Sequence, residues 1–398
     1  MSIELLIRKF TAVSCIGQGV RATLEALRRQ RGGLAPCAFE TAEIDTCIGE
    51  VAGIDAEQLP AALRTFDCRN NRLAQLGLRQ DGFAEAVAQS AGRWGSRRVG
   101  VFLGTSTSGI LQTELAYRRR DPVSGALPAD FAYAGTHNSF SVADFVRQRL
   151  RLEGPAAVVC SACSSSAKVF ASARRMIEAD LIDAAVVGGV DSLCLTTLYG
   201  FHALQLTSHG PCRPFDLARD GISIGEAASF ALLERVPDSL DAEAVRLLGV
   251  GESSDAYHMS APQPEGLGAQ AAMRAALRAA RLEPGEIDYI NLHGTGTMSN
   301  DSAESRAVAA LFGSAVPASS TKGATGHALG AAGALEAMIC AVAMQNDFLP
   351  AGINTTRVDP SMGIEYLLEN RPGRIRRVLS NSFGFGGTNC SLVLGRAD

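Results

Sequence analysis

The sequence has no surplus of positive charge, no long apolar run and few histidines. Its 37 Lys and Arg against 41 Asp and Glu give a formal net charge of −4 over 398 residues. A global nucleic-acid binder is therefore excluded, and any anionic partner has to meet a local basic patch. No stretch approaches the ~18 uninterrupted apolar residues that would cross a bilayer. The first 17 residues carry acidic and basic side chains inside their apolar run and lack a signal peptide's apolar segment with a small-residue cleavage site. The expectation is a soluble, cytoplasmic protein with no nucleic-acid or membrane partner. Ten cysteines are scattered through apolar contexts, which suggests neither a disulfide framework nor a zinc site, and most are expected to be core thiols. The Gly/Ser/Thr-rich loop 104–109 has no P-loop lysine and no G-x-G-x-x-G spacing, so a nucleotide site is rejected.

What is present is apolar residues at 46% in a chain longer than the ~250–300 residues that one core usually serves. Two domains or two fused halves are expected, with a break in texture near 237–245 dividing 1–240 from 241–398. Buried-strand runs are read at 4–16, 98–104, 184–190, 230–233, 245–250 and 287–292, with a Gly-broken strand pair at 379–394. Helices are read at 19–30, 138–152 and 268–281, and 60–93 is read as helical throughout with Arg64, Arg69, Arg72 and Arg79 on one polar face. Residues 158–190 and 318–353 both pass from a strand through a Ser/Gly-rich turn into an Ala-rich helix. Likewise 221–233 parallels 382–394. A duplicated α/β architecture accounts for this spacing. A helix that is small on every side, as at 328–337, packs between other layers, so two such helices are expected at the centre with their N-termini meeting.

Cys163 falls where the β-branched run Val158-Val159 gives way to small residues and then to helical periodicity at Ala167, Phe170 and Ala171. The unpaired N–H groups and dipole of a helix start would lower a thiol's pKa there and could receive the oxyanion of a thioester under attack. Two of the six histidines, His293 and His327, stand at strand-to-turn positions beside Gly/Thr clusters. Each alone reads as a satisfied core histidine, but with Cys163 they form a set able to do acyl chemistry.

The chain resembles a β-ketoacyl-acyl-carrier-protein synthase, an elongating condensing enzyme of the thiolase superfamily. The matching motifs are S-A-C163-S-S-S, R213-P-F-D216-x3-D220-G221, S254-D-A-Y-H258-M, H293-G-T-G-T297-x3-D301-x2-E304, K322-G-A-T-G-H327-x2-G-A-A-G333-x2-E336 and N381-S-F-G-F-G-G-T-N389, in that order. The resemblance implies a duplicated thiolase-like fold, layered α-β-α-β-α, with two mixed sheets and buried central helices. It implies that Cys163 takes the acyl chain as a thioester, with its own N–H and that of Phe385 as the oxyanion hole and Phe385 as a gate. His293 and His327 would hold the malonyl thioester carbonyl while carbon dioxide leaves and the carbanion attacks the acyl-cysteine. Lys322 would sit near Asp301, Glu304 and Glu336 in support, with a plain ion-pair anchor as the competing role. Thr295 and Thr297 would bond the phosphopantetheine arm.

No cofactor is implied, because phosphopantetheine arrives on the carrier protein. In some relatives the residues matching Asn291, Glu336, Ser380 and Asn381 surround a monovalent cation, and no catalytic metal is expected. The implied partners are an acyl carrier protein, in its acyl and malonyl forms, and a dimer mate that is either a second copy or a related subunit. A carrier protein presents acidic residues, so Arg64, Arg69 and Arg72, with the run Arg118, Arg119 and Arg120 in a loop, are the candidate docking patch; plain surface charge is the alternative reading. A degradative thiolase would use a second catalytic cysteine, whereas Cys390 lies in a last-strand context. Initiating synthases use a histidine and an asparagine, which leaves His327 unexplained. A non-catalytic chain-length-factor subunit would lack the nucleophile that Cys163 supplies.

Overall fold

The structure is a computed structural model that describes residues 3–396. Its central strands are β1 (Leu5–Ser14), β2 (Val99–Gly104), β3 (Ala156–Val159), β4 (Ala184–Asp191), β5 (Ala227–Arg235), β6 (Val245–Ser254), β7 (Tyr289–Asn291), β8 (Pro317–Ser319), β9 (Glu365–Tyr366), β10 (Arg377–Gly384) and β11 (Thr388–Arg396). They pair in the order β9-β8-β7-β10-β11-β6-β1-β5-β4-β2-β3. Outward from the β1/β6 junction, one side runs β1-β5-β4-β2-β3 and the other β6-β11-β10-β7-β8. The second order repeats the first, strand for strand. The senses repeat too: β5 is antiparallel to β1 and β4, as β11 is to β6 and β10. The outer strands of each side are parallel. Order and sense together make the duplication that the sequence echo suggests, with β9 as an addition to the second side.

The helices are α1 (Val20–Arg28), α2 (Arg69–Leu78), α3 (Phe83–Trp94), α4 (Ile110–Arg118), α5 (Ser141–Arg149), α6 (Ser165–Glu178), α7 (Leu195–Ala203), α8 (Leu267–Ala280), α9 (Met298–Phe312), α10 (Lys322–Thr325) and α11 (Ala332–Gln345). Among the described residues the two sides of the sheet join at two register pairs, Leu5↔Leu247 and Leu6↔Arg246. Between them lie α6 and α11, each packed on strands of both sides. α2, α3 and α5 cover the outer face of the first side in one apolar cluster, and α8 and α9 cover the second in another. The result is the five-layer thiolase-like arrangement.

Small residues let the two central helices touch. The Ser166 hydroxyl accepts from the Ala334 N–H at 2.9 Å, and a Cβ on Gly333 would lie 2.8 Å from the Ala167 Cβ and 2.7 Å from Ser382 Oγ. Their first turns meet at the centre, as the Ala/Gly pattern requires.

The reading of 60–93 as one helix is corrected. A 3-10 turn occupies Ala61–Phe66, extended backbone at Asp67 and Cys68 ends it, and left-handed Asp81 and Gly82 separate α2 from α3. The four arginines therefore share no face: Arg69 is buried, while Arg64 is exposed. The run Arg118-Arg119-Arg120 begins on the last residue of α4 rather than lying wholly in a loop. Three helices, α4, α7 and α9, have no counterpart in the sequence reading.

Candidate active site

Cys163 stands between the end of β3 and the start of α6, in a turn pinned by Ser165, whose hydroxyl accepts from Ser161 N–H at 2.8 Å and donates to Ala162 O at 2.6 Å. Ala162 is held at φ 51°. A side-chain-bearing residue in that region costs of order 1–3 kcal/mol and persists where the surroundings impose it. Gly384, at the end of β10, allows this turn to come close: a Cβ there would be 3.1 Å from Cys163 N and 3.0 Å from Ser161 O.

The expected depression of the thiol's pKa is not what the surroundings produce. Burial pushes the Cys163 thiol up to about 11, outrunning the Lys322 charge and the Phe385 N–H that pull the other way. A helix start favours an anion by a few tenths to one kcal/mol, whereas removing a thiolate from water costs more.

His327 Nε2 lies 3.0 Å from Cys163 Sγ. The ring is placed through its backbone: its N–H donates to Ser223 O at 2.7 Å and its carbonyl accepts from Gly225 N–H at 3.0 Å. The His293 ring meets it edge-on, centroids 5.3 Å apart, with Phe383 on another side at 6.0 Å. One donor atom from each of Cys163, His293 and His327 falls within 4.8 Å of the others. Burial first, then the Lys322 charge, hold both histidines well below the ordinary imidazole value, so both are neutral at neutral pH.

Lys322 Nζ is fully buried, pairs with Glu336 and donates to His293 O at 2.6 Å. It also lies 3.3 Å from His293 Nδ1. An ammonium has only protons to offer, so Nδ1 accepts and the His293 proton resides on Nε2.

Of the three acids expected near Lys322, Glu336 forms the ion pair and the other two act on the backbone beside His293. Glu304 accepts from the N–H groups of His293 and Gly294, both at 2.8 Å, and Asp301 from those of Thr295 at 3.0 Å and Gly296 at 3.3 Å. The two acids lie on the inner face of α9 and hold the 293–297 loop. Burial raises Glu304 to about 7, and Glu336 likewise to about 7. Arg219, unmarked in the sequence reading although it lies inside the R-P-F-D motif, braces Asp301 at 3.8 Å and Asp359 at 2.8 Å.

A cleft reaches Cys163, His293 and His327 from the surface. Thr295 and Thr297 line it with their hydroxyls 2.9 Å apart, and Phe385 stands across it from Phe201, ring centroids 5.7 Å apart. Asp255 and Asn389 also line it, joined by a 2.7 Å hydrogen bond, and were not singled out for it from sequence. Both fall within quoted motifs, which was the available signal.

Glu336 Oε2 is buried without a hydrogen bond among the described residues; beside it Asn291 has the Tyr289 hydroxyl and Ser380 the Cys340 thiol as neighbours outside ordinary hydrogen-bond geometry, while Asn381 is committed to Glu304 and Ser391. These three oxygen-bearing side chains, two of them on register partners of β7 and β10, are of the type that holds a hard cation.

The arginine patch does not assemble. Arg69 is buried, with its Nη2 shared by Glu226 at 2.7 Å and Glu50 at 3.1 Å, its Nε on Glu226 and its Nη1 on Asp55. Arg72 is chelated by Asp67, Arg119 by Asp130, and Arg118 reaches Thr41 and Glu40. Arg64 and Arg120 are exposed. None of the six lines the cleft. Of Cys160 and Cys163, spaced as a C-x-x-C pair, Cys160 is exposed and Cys163 buried, both with free thiols.

The family models described as beta-ketoacyl synthase, N-terminal domain, and beta-ketoacyl synthase, C-terminal domain, match residues 72–239 and 245–356. A 3-oxoacyl-[acyl-carrier-protein] synthase 2 of Coxiella burnetii is 31% identical, over 99% of this chain and 98% of that protein. Among solved structures, a ketosynthase (ApeO) in complex with its chain length factor (ApeC) from Xenorhabdus doucetiae has a TM-score of 0.88 and 38% identity, covering 100% of this chain and 98% of that one. The ishigamide ketosynthase/chain length factor has a TM-score of 0.89 and 26% identity, covering 100% of both chains.

Proposed function

The chain belongs to the β-ketoacyl synthase family, and from that premise we propose how its own residues divide the work of the reaction and which partners it meets. The enzyme is an acyltransferase of the 3-oxoacyl-[acyl-carrier-protein] synthase type: it condenses an acyl-enzyme thioester with a malonyl thioester, with loss of carbon dioxide. The observation that carries the assignment of roles is the 3.0 Å approach of His327 Nε2 to Cys163 Sγ beside a His293 whose Nδ1 is taken up by Lys322.

In the first half-reaction Cys163 Sγ attacks the acyl thioester of a carrier protein. The carbon–sulfur bond to the carrier's arm breaks, and the proton leaving Cys163 ends on the departing arm thiol, with His327 Nε2 beside the path. The N–H groups of Cys163 and Phe385 receive the oxyanion, a role supported by the Phe385 N–H acting on the sulfur. In the second, the malonyl thioester carbonyl takes hydrogen bonds from His293 Nε2–H and His327 Nε2–H. The bond to the carboxylate breaks, carbon dioxide leaves, and the enolate carbon attacks the acyl carbonyl on Cys163. Collapse of that adduct breaks the carbon–sulfur bond and returns the electron pair to Sγ, and the thiolate then takes up one proton from solvent, the earlier proton having left on the arm thiol. Two neutral donors suit an enolate that forms and disappears within one turnover, since neither carries a charge that would hold it.

Lys322 positions His293 rather than attacking substrate, with Glu336 as its counter-ion. Asp301 and Glu304 support the loop, and Thr295 and Thr297 bond the phosphopantetheine arm. A monovalent cation among Asn291, Ser380 and Glu336 would be structural. The carrier protein is the substrate-bearing partner. A second thiolase-fold subunit, either another copy or a related chain, pairs along β3, which ends the sheet, carries no charge and is part-exposed over Ala156–Val159.

The test is mass spectrometry of Cys163 after mixing with acyl-carrier substrate, followed by malonyl-carrier. The wild type should gain the acyl mass and lose it on chasing, with carbon dioxide and 3-oxoacyl product released together. Cys163→Ala should give neither, and Cys163→Gln should release carbon dioxide without product. Full elongation by Cys163→Ala would end the assignment.

A further inference from the structure

Leu204, Tyr257, Met259 and Met298 are exposed at 56%, 59%, 77% and 57%. Scattered single exposures of this kind are ordinary. These four are not scattered, because each belongs to a segment that walls the same cleft. Leu204 lies between the lining residues Phe201 and Leu206, and Met298 between Thr297 and Ser299. Tyr257 and Met259 precede the lining residues Ser260 and Ala261, and the Met259 carbonyl accepts from Gly386 N–H at 2.7 Å, next to Phe385. The mouth of the site thus carries an apolar collar from three separate parts of the chain.

The cleft lining contains neither Lys nor Arg. Its one charged residue, Asp255, is occupied by Asn389 and by the Gln263 N–H at 3.0 Å. The cleft lining thus offers no Lys or Arg to an acidic surface, and of the candidate arginines Arg69 is buried and Arg72 and Arg119 are chelated; the collar's own segment adds the exposed His258 between Tyr257 and Met259.

We propose that Leu204, Tyr257, Met259 and Met298 form the docking surface for the acyl carrier protein, held by an apolar strip beside the serine that bears its phosphopantetheine. The inference rests on the carrier-dependent reading of the site. The occupant follows from the position: whatever covers the collar must also pass an arm of limited length down to Cys163. A second copy of this chain seated here would close the cleft, and a lipid surface delivers no tethered thioester. Two methionines suit the task, because an unbranched thioether side chain adapts to a carrier whose cargo changes from one cycle to the next.

The test compares wild type with Met259→Ser/Met298→Ser and with Met259→Leu/Met298→Leu, using malonyl-carrier protein and, separately, malonyl-N-acetylcysteamine. The serine variant should raise KM for the carrier substrate at least tenfold with little change in kcat, and should turn over the free thioester as the wild type does. The leucine variant should stay within about twofold of wild type on both. Equal loss on both substrates would make the collar part of the arm site and overturn the proposal, as would no loss on either. A change in oligomeric state of the serine variant by light scattering would reassign the collar to a subunit contact. Failure of the wild type itself to use any carrier-bound substrate while using the free thioester would instead overturn the carrier reading on which this rests.

Discussion

At the scale of single residues, the nucleophile is a thiol made reactive by its partners rather than a standing thiolate. With Cys163 pushed up to about 11 by burial, its thiolate fraction rises tenfold per pH unit throughout the working range. In a Cys160→Ser background, to remove the exposed thiol, alkylation of Cys163 by iodoacetamide should accelerate about tenfold per pH unit between pH 7 and 9.5. A plateau near pH 8 would show a thiolate activated by the helix start. The histidines have the opposite sign. Their neutral forms are present above their depressed pKa values and are lost only as pH falls through them, so malonyl decarboxylation should be flat from pH 6.5 to 8. Removing either ring, His293→Ala or His327→Ala, should cut decarboxylation by about 10² to 10³, the effect of one lost oxyanion donor. Acyl loading of Cys163 should fall less, and an equal fall in both would reassign them to activating the thiol. The identities of these three residues were legible because Gly- and Ser-rich turns expose a side chain at a strand end. The state of the thiol was not, since it depends on how much protein covers the turn.

At the scale of elements, the site is held where α6 and α11 touch. Gly333 lies at this contact, and Gly333→Val would press two further methyl groups against Ser382 Oγ and Ala167, where even a Cβ lies at 2.7 and 2.8 Å. Overpacking of this kind costs typically about 1–3 kcal/mol, which should appear as a lower midpoint in urea with an unchanged slope. These helices were legible because a segment of Ala and Gly has only one way to be useful, between layers. α9 was not, for a physical reason. Its buried face carries Asp301 and Glu304, whose charges are satisfied by N–H groups of a loop supplied from outside the helix. A period search that equates buried with apolar passes over such a helix. Asp191 repeats the pattern at the end of β4, where a fully buried carboxylate accepts from Thr105, Ser106, Thr107 and Ala331 and ties the 105–107 loop to the turn before α11.

At the scale of the molecule, charge was the least legible property, because a sequence gives the number of arginines and not their company. Arg69 looked available and is instead a buried arginine paired with the buried Glu226 and with the exposed Glu50 and Asp55. Reversing it strands the fully buried Glu226, so Arg69→Glu should lower stability by several kcal/mol, whereas a docking residue would raise KM and spare the fold. The net charge of −4 then sets the sign of the salt effect on catalysis. If an acidic carrier met a basic patch, raising salt would screen an attraction and raise KM steeply. With an apolar collar at the mouth and both proteins net negative, the long-range interaction is repulsive, and salt screens the repulsion instead. KM for malonyl-carrier protein should therefore stay level or fall modestly between 50 and 500 mM NaCl, while KM for malonyl-N-acetylcysteamine, which carries one charge and no folded surface, should change by less than about twofold. A steep rise in the carrier KM alone would restore a basic patch, with the exposed Arg64 and Arg120 as its first members.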